Sequence, residues 1–456
     1  MHDHFDLELL LELVEQKQLR KLKAILCDMN EVDIASFLDE LPPEHLLVVF
    51  RLLPKGLAAE VFAYMEDSDD QERLINALSD RELRDVLNEL YLDDTVDIIE
   101  DMPANVVSRI LRNTDPSTRS QINQLLNYPK DSAGSIMTTE FIFLRPDDTV
   151  GQSFDRIRKV GLDKETVYTC YVTRSRVLEG VVTVRRMLMS PYETLIGDIM
   201  ETNLLSVNTH DDKEAVAQMF SRYDLTALPV VDGDDRLVGI ITVDDAMDVM
   251  EEETTEDFEK MAAILPSDKP YLKTGVWETF RSRLPWLMLL MLSATFTGVI
   301  LTGFESALAA CVILTSFIPM LTGTGGNSGS QSSVAVIRAL SLGEVAFSDM
   351  LAVVWKEIRV ALLCGLCLGS ANFVKMLLVD RWLLHNPEVT VPVALVVCLT
   401  LAATVLCAKI VGCLLPLGAE KLGIDPAVMA SPFITTVVDA LSLLIYFGIA
   451  INILSL

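Results

Sequence analysis

The sequence predicts a multidomain fold: an α-helical superhelical domain, an α/β tandem repeat, an acidic connecting helix and a transmembrane domain of five helices. Three observations carry this. From residue 271 to 456 the chain has 10 Lys+Arg and 10 Asp+Glu, so the whole net charge of −28 lies before that point. Two stretches about 60 residues apart repeat one order of strands and helices. The electrically balanced end consists of apolar runs of about 20 residues or more, each able to cross a bilayer core. An acidic soluble part joined to a membrane part is suited to collecting and reading cations, and it argues against nucleic acid and anionic lipid as partners.

Residues 1–130 read as helical throughout, with short apolar-periodic segments punctuated by proline, as in DIASFLDELPPE and DTVDIIEDMPAN. The likeness of LDELP (38–42) to IEDMP (99–103) suggests stacked helix hairpins. The start, MHDHFDLELLLELVEQKQL, lacks a basic segment followed by an apolar one, so the soluble part is expected to stay in the cytoplasm. Of eight Cys, six fall in apolar segments, and no disulfide framework suggests itself. Cys364 and Cys367 spell CxxC, but in an uncharged membrane run they read as small packing residues.

Residues 131–252 contain the repeat. Ile136-Met137 corresponds to Ile199-Met200, Gly180 to Gly239, and TVRR (183–186) to TVDD (242–245). On these residues the segment resembles a tandem pair of CBS domains. The resemblance implies an adenine nucleotide such as ATP in the cleft, with an acidic residue closing T-x-x-D on the ribose. The second copy has Thr242 and Asp245; the first has Thr183 but Arg186, which cannot accept ribose hydroxyls. Tyr168 and Thr242 are the candidate nucleotide contacts.

Residues 243–270 form the connecting segment, with carboxylates at Asp244, Asp245, Asp248, Glu251, Glu252, Glu253, Glu256, Asp257 and Glu259 against Lys260. Like charges three and four apart weaken a helix, so this density calls for a cation or a fully solvated face. The membrane domain, 271–456, reads as five spans: 284–303, 306–337, 360–379, 389–408 and 427–456. The flanking basic residues agree with a cytoplasmic amino end.

Two features of the membrane part carry chemistry. The second span contains Pro319 and four Gly within eleven residues, followed or accompanied by Asn327, Ser328, Ser330 and Gln331. So wet a stretch reads as a pore wall rather than packing alone. The last span holds Asp439 on a polar stripe with Ser431, Thr435, Ser442 and Tyr446. A carboxylate at the bilayer centre costs roughly 2.5 to 3.5 kcal/mol on insertion scales, so it should face water or a partner. A proton relay or an interhelical hydrogen bond is the alternative use.

PMLTGTGGNSGSQS, the SPFITTVVDALSLLIYF span, the TVDDAMDVMEEETTEDFEK linker and the CBS pair together resemble the MgtE family of magnesium channels, in that family's order and over nearly the whole chain. The resemblance implies a homodimer in the bilayer of the bacterial inner membrane, its second and fifth spans lining one pore. Asp439 from both subunits, with backbone oxygen near Thr435, would then hold hydrated Mg²⁺. Gly325, Gly326, Asn327, Ser431 and Pro432 would line the path. Mg²⁺ dehydrates reluctantly, so paired carboxylates can bind it through its waters. Ser431 and Thr435 depart from the residues expected there, Asn and a small apolar residue.

The same resemblance implies a sensor that closes the pore when cytosolic Mg²⁺ is abundant. Its carboxylates would be Asp93, Asp94 and Asp97 of the helical domain, Asp212, Glu214 and Asp224 of the second CBS copy, and Asp245, Asp248, Glu253, Glu256 and Asp257 of the linker. The alternative is a Co²⁺, Mn²⁺ or proton-coupled transporter. An enzyme is not expected, since no nucleophile–base pair, phosphate loop or zinc spacing is present.

Overall fold

A computed structural model describes residues 7–454 apart from Glu66, Asp268, Lys269, Pro270, Lys273 and Ala430. The chain divides into two compact units, Met1–Met250 and Glu251–Leu456.

In the first unit, α1 (Leu7–Glu15) to α10 (Pro116–Leu125) are helices of eight to ten residues. Proline sets their boundaries. Pro43 and Pro116 occupy first-turn positions, where the missing N–H costs nothing, and Pro54 and Pro103 are N-caps. LDELP and IEDMP mark equivalent breaks, before α4 (Pro43–Phe50) and after α8 (Leu92–Glu100). Buried Ile98 and Ile99 of α8 join Met137, Phe220, Ile241 and Ala246 in one continuous core. The helical domain therefore packs on the second half of the repeat.

Each half of the repeat is a three-stranded sheet with one parallel and one antiparallel pairing. The first half contains β1 (Phe143–Leu144), α11 (Val150–Val160), β2 (Thr169–Arg174), β3 (Val177–Thr183) and α12 (Val184–Leu188), and α13 (Ile196–Ile199) opens the second. The second contains β4 (Val207–Asn208), α14 (Lys213–Tyr223), β5 (Ala227–Val231) and β6 (Leu237–Thr242). The equivalence extends to irregularities, with register shifts at Val172/Thr173 and at Val230/Val231.

The glycine pair of the repeat has a packing reason. Thr138, from the opening of the first half, bridges Ile240 of β6, and Glu201, from the opening of the second, bridges Val181 of β3. The halves thus exchange their opening segments. A Cβ at Gly239 would lie 2.6 Å from Met137 Sδ and 2.8 Å from the Thr138 carbonyl oxygen; one at Gly180 would lie 2.8 Å from the Glu201 carbonyl oxygen. Met137 can move, but the carbonyl is held in the bridge. Gly239→Ala should therefore destabilise the first unit by ~1–3 kcal/mol as overpacking does, read as a lower urea midpoint; an unchanged midpoint would refute the exchange.

β6 runs directly into α15 (Val243–Met261), the connecting helix, which ends earlier than the 243–270 span expected. The second unit adds α16 (Val276–Gly303), α17 (Glu305–Ala310), α18 (Ile318–Ser341), α19 (Met350–Lys375), α20 (Val391–Lys421) and α21 (Ser431–Leu454). Among the described residues four helices are long and apolar enough to cross a membrane, those containing α16, α19, α20 and α21. α18, with 24 residues, is long enough but carries too much Gly, Ser and Asn to count as one. α20 packs on α18, α19 and α21.

The second span departs from the expected continuous run. It breaks at Cys311, and Val312–Phe317 form a 3₁₀ segment. The Gly-rich stretch is α-helical, and Pro319 lies in the first turn of α18, where its missing N–H costs nothing. The buried Tyr446 hydroxyl donates to the Leu314 carbonyl in the 3₁₀ segment, 2.9 Å away, as a backbone group in a membrane requires.

Candidate functional site

The glycines of α18 serve close approach. A Cβ at Gly412 of α20 would lie 2.3 Å from the Gly329 carbonyl oxygen, and one at Gly325 would lie 2.9 Å from Val438. At Gly326 it would meet Thr435 at 3.0 Å, so the two predicted residues are neighbours. Small residues allow helix backbones to come this near. Gly325, Gly326, Ser328, Gly329, Ser332 and Ser333 are buried, whereas Gly323, Asn327 and Gln331, four residues apart, are exposed. α18 thus turns a polar stripe away from its own bundle.

Asp439 lies next to buried Val438 and is half-buried; its Oδ1 is buried with no hydrogen-bond partner. The expected polar stripe of α21 divides. Ser442 and Tyr446 are buried in the bundle, Ser442 donating to the Val438 carbonyl of its own helix at 2.6 Å and Tyr446 to the Leu314 carbonyl. Thr435 remains beside α18 and Pro432 is half-buried. The side chain of Ser431 lies outside the described residues.

In the first unit, α8 and the start of α15 assemble a second group of carboxylates. Burial, then the charge of Asp94, pushes Asp93 up to about 7. Burial and the charges of Asp245 and Asp244 take Asp94 up to about 6. Asp245 rises to about 7 through burial and the charge of Asp93, although the Thr242 hydroxyl donates to it at 2.5 Å. Asp97 is raised by desolvation from the surrounding protein, although its side chain reaches solvent, and by Asp93 and Asp245.

Glu140 and Glu165, not singled out from sequence, belong to this group, together with Asp244 of the connecting segment. Glu165 is driven up to about 8 by burial and by Asp93 and Asp245, and its Oε2 is buried with no hydrogen-bond partner. Only the fold brings it in, although the acidic pairs at 93–94 and 244–245 were visible. Among the described residues no three acidic, His or Cys side chains converge as a metal-ligand set. The donors are all oxygen and act on one another through charge, which fits a hydrated hard cation rather than a dehydrated one in a protein cage.

The other predicted carboxylates serve different places. Asp212 caps α14, accepting from the Glu214 and Ala215 N–H groups, Glu214 stands in that first turn, and Asp224 ends the helix with φ of 52°. In the second unit the end of α15 is fastened beside α18 and α21. Ser341 donates to Asp257 at 3.1 Å, and Lys260 pairs with Glu256 at 2.7 Å and with Asp425, in the loop before α21, at 2.6 Å. Met261 packs on Ile337 and Ala427. Asp248 and Glu253 lie between the two groups along α15. Of the nucleotide candidates, Tyr168 is 77% exposed, whereas Thr242 is buried and bonded to Asp245.

Residues 318–449 match the family model for a divalent cation transporter, 29–131 that of the MgtE intracellular N domain, and 133–192 and 196–252 the CBS domain. The chain is similar to the magnesium transporter MgtE of Thermus thermophilus, 37% identical with 96% of each chain covered. It is 32% identical to that of Bacillus subtilis, over 92% of this chain and 93% of the relative. A solved cytosolic domain of the Mg²⁺ channel MgtE in complex with ATP is 36% identical, with a TM-score of 0.50, over 53% of this chain and 98% of that one.

Proposed function

Because this chain belongs to the MgtE family of magnesium transporters, we propose that it conducts Mg²⁺ along the α18–α21 interface and is shut from the cytosol by the same ion. It is a multi-pass membrane protein with intracellular N-terminal domains, and the family is one of transporters rather than enzymes. The observation that carries the path is the exposed stripe Gly323, Asn327 and Gln331 on a helix neighbouring the one that holds Asp439. A polar stripe facing lipid is unfavourable, so it faces water.

Two copies complete the path in this reading, each offering Asp439, with Gly325, Gly326, Asn327, Thr435, Ser431 and Pro432 around it. Leu162, Tyr168, Met189 and Tyr192 of the first CBS copy are each exposed, apolar surface that a homodimer would cover. The bacterial inner membrane is the proposed location. An adenine nucleotide is the proposed ligand of the CBS pair, near Tyr168 and Thr242.

For regulation, Asp93, Asp94, Asp97 and Asp245, with Glu140 and Glu165, would hold a cation whose charge offsets their repulsion. Asp212, Glu214, Asp224, Asp248 and Glu253 add to the negative field. α15 is one continuous helix from Asp245 to Lys260. Ordering its first turn therefore biases the end that Asp257 and Lys260 fasten beside α18 and α21. Several weak sites acting on one two-state element produce a steep response.

The test is Mg²⁺ uptake into vesicles holding the purified protein, with Mg²⁺ varied on the cytosolic face and Mn²⁺, Co²⁺ and pH as competitors. Flux should fall as cytosolic Mg²⁺ rises. Asp425→Asn, which breaks the charged half of the Lys260 contact, should leave several-fold more flux at high Mg²⁺ than the parent. Full closure of that variant would remove the fastening from the mechanism, and flux indifferent to cytosolic Mg²⁺ in the parent would remove the sensor.

A further inference from the structure

A buried charge cluster in the membrane domain takes no part in the reading above. Lys409 of α20 is 5% exposed and Ser332 of α18 is 2% exposed. The Lys409 ammonium donates to Ser332 Oγ at 3.2 Å, and the Ser332 hydroxyl donates to Glu357 Oε2 of α19 at 2.6 Å. Lys409 Nζ stands 3.7 Å from the same carboxylate oxygen, whose side chain is 13% exposed. One hydroxyl accepts from the cation and donates to the anion, as its single proton and free lone pairs allow. The basic residues Arg338, Lys356 and Arg359 of the neighbouring helices are exposed.

The cluster sits on the helix that forms the proposed path. One turn along α18, Gly329 abuts Gly412 and comes within 2.8 Å of Ile434 and 3.4 Å of Val438 for a Cβ built there, next to Asp439. Ser333 donates to the Met429 carbonyl, just before α21, at 3.4 Å. A buried ion pair adds little stability compared with a packed apolar pair, because desolvation offsets the attraction. A fixed charge beside a cation path, by contrast, acts directly on the ion, and on a dication twice as strongly as on a monovalent one.

We propose that Glu357 and Lys409, joined through Ser332, form a charge-balanced positioning site for α18, in which Glu357 cancels a positive charge that would otherwise repel Mg²⁺ from the path. This rests on the reading of α18 and α21 as the path walls. The pair holds α18 against α19 and α20 while keeping the wall behind Gly329 neutral. Glu357 is thus a positioning and specificity-determining residue rather than an ion ligand.

The experiment compares Glu357→Gln, Lys409→Met and the double variant by Mg²⁺ uptake into vesicles at low cytosolic Mg²⁺, with Asp439→Asn in parallel. Glu357→Gln should raise the transport KM for Mg²⁺ about tenfold, the order expected of one uncancelled charge partly screened by water. Lys409→Met should leave KM unchanged or lower it, and the double variant should return it to within about twofold of the parent. Opposite signs of the single variants distinguish charge balance from a mere brace, for which both would lower kcat and melting temperature alike.

Equal losses in both single variants, or a KM unchanged in both, would overturn the proposal. If Glu357→Gln does not fold, the other two variants decide: a raised KM in Lys409→Met overturns it, and a parental or lower KM with a parental double variant supports it. Retained flux in Asp439→Asn would mark failure of the underlying path instead.

Discussion

Asp439→Ala should abolish Mg²⁺ flux while leaving the protein folded. Asp439 Oδ1 is buried without a hydrogen-bond partner on the helix facing Gly325, Gly326 and Gly329. Keeping an unpaired carboxylate there costs roughly 2.5 to 3.5 kcal/mol on insertion scales, so its removal relieves a burden on the fold. The melting temperature should hold or rise while flux falls at least ~100-fold, the scale of a lost charge-assisted contact to the permeating ion. Asp439→Asn keeps the volume and loses the charge, so it should lose the preference for divalent ions as well. Uptake by vesicles, normalised to folded protein from size-exclusion chromatography, measures both. Parental Mg²⁺ flux in Asp439→Ala would show that the ion travels elsewhere.

Replacing Asp93, Asp94, Asp97 and Asp245 together by Asn should disconnect flux from cytosolic Mg²⁺. In the parent these groups, with Asp244, Glu140 and Glu165, repel across the joint between α8 and the start of α15. The amides remove that repulsion and the ligands together, so no response to Mg²⁺ should remain between roughly micromolar and tens of millimolar. A variant still shut by millimolar Mg²⁺ would move the sensor to other carboxylates.

The pH dependence has a defined sign. Folded values of about 7 for Asp93, 6 for Asp94, 7 for Asp245 and 8 for Glu165 lie above those of an unfolded chain. Such groups favour the assembled state at low pH, and that contribution is lost as pH rises from about 4 through 6 to 8. Without Mg²⁺, acidification from pH 8 to pH 6 should therefore raise the melting temperature of the full-length protein and lower its flux. The scale is roughly 1 kcal/mol per pH unit for each proton taken up. Mg²⁺ should stabilise more at pH 8 than at pH 6, and the Asn variant should lose the proton effect. A parent whose melting temperature rises with pH would contradict the carboxylate assignment.

Several residues of the candidate site are legible in the chain. Asp439 stands out because an acidic residue in an apolar run has no cheap explanation, and the α18 glycines because so many in one span need a neighbour that comes close. The halves of the repeat were visible from Gly180 and Gly239, since only a residue without Cβ admits the Glu201 and Thr138 carbonyls. Proline placed the helix boundaries because its ring fixes φ and removes a donor whatever the rest of the chain does.

Local covalent rules and solvation preferences are properties of a short segment, so the sequence by itself determined the domain order, four apolar spans, the repeat and the acidic character of the soluble part. What it left open depends on pairs far apart in the chain. Glu165 joins Asp93 only through packing of the helical domain on the repeat, and Lys260 finds Asp425 165 residues away. The close approach of Thr435, Val438 and Gly412 to the α18 glycines is set by neighbours, and so is the place of Tyr446, which left the polar stripe to reach the Leu314 carbonyl in another segment. The Lys409–Ser332–Glu357 cluster could not be read from residues that each resemble an ordinary span border or packing position. Its energy lies in the juxtaposition of three helices, which only tertiary structure decides, because desolvation and Coulomb attraction are set by what surrounds a charge and not by the residue that carries it.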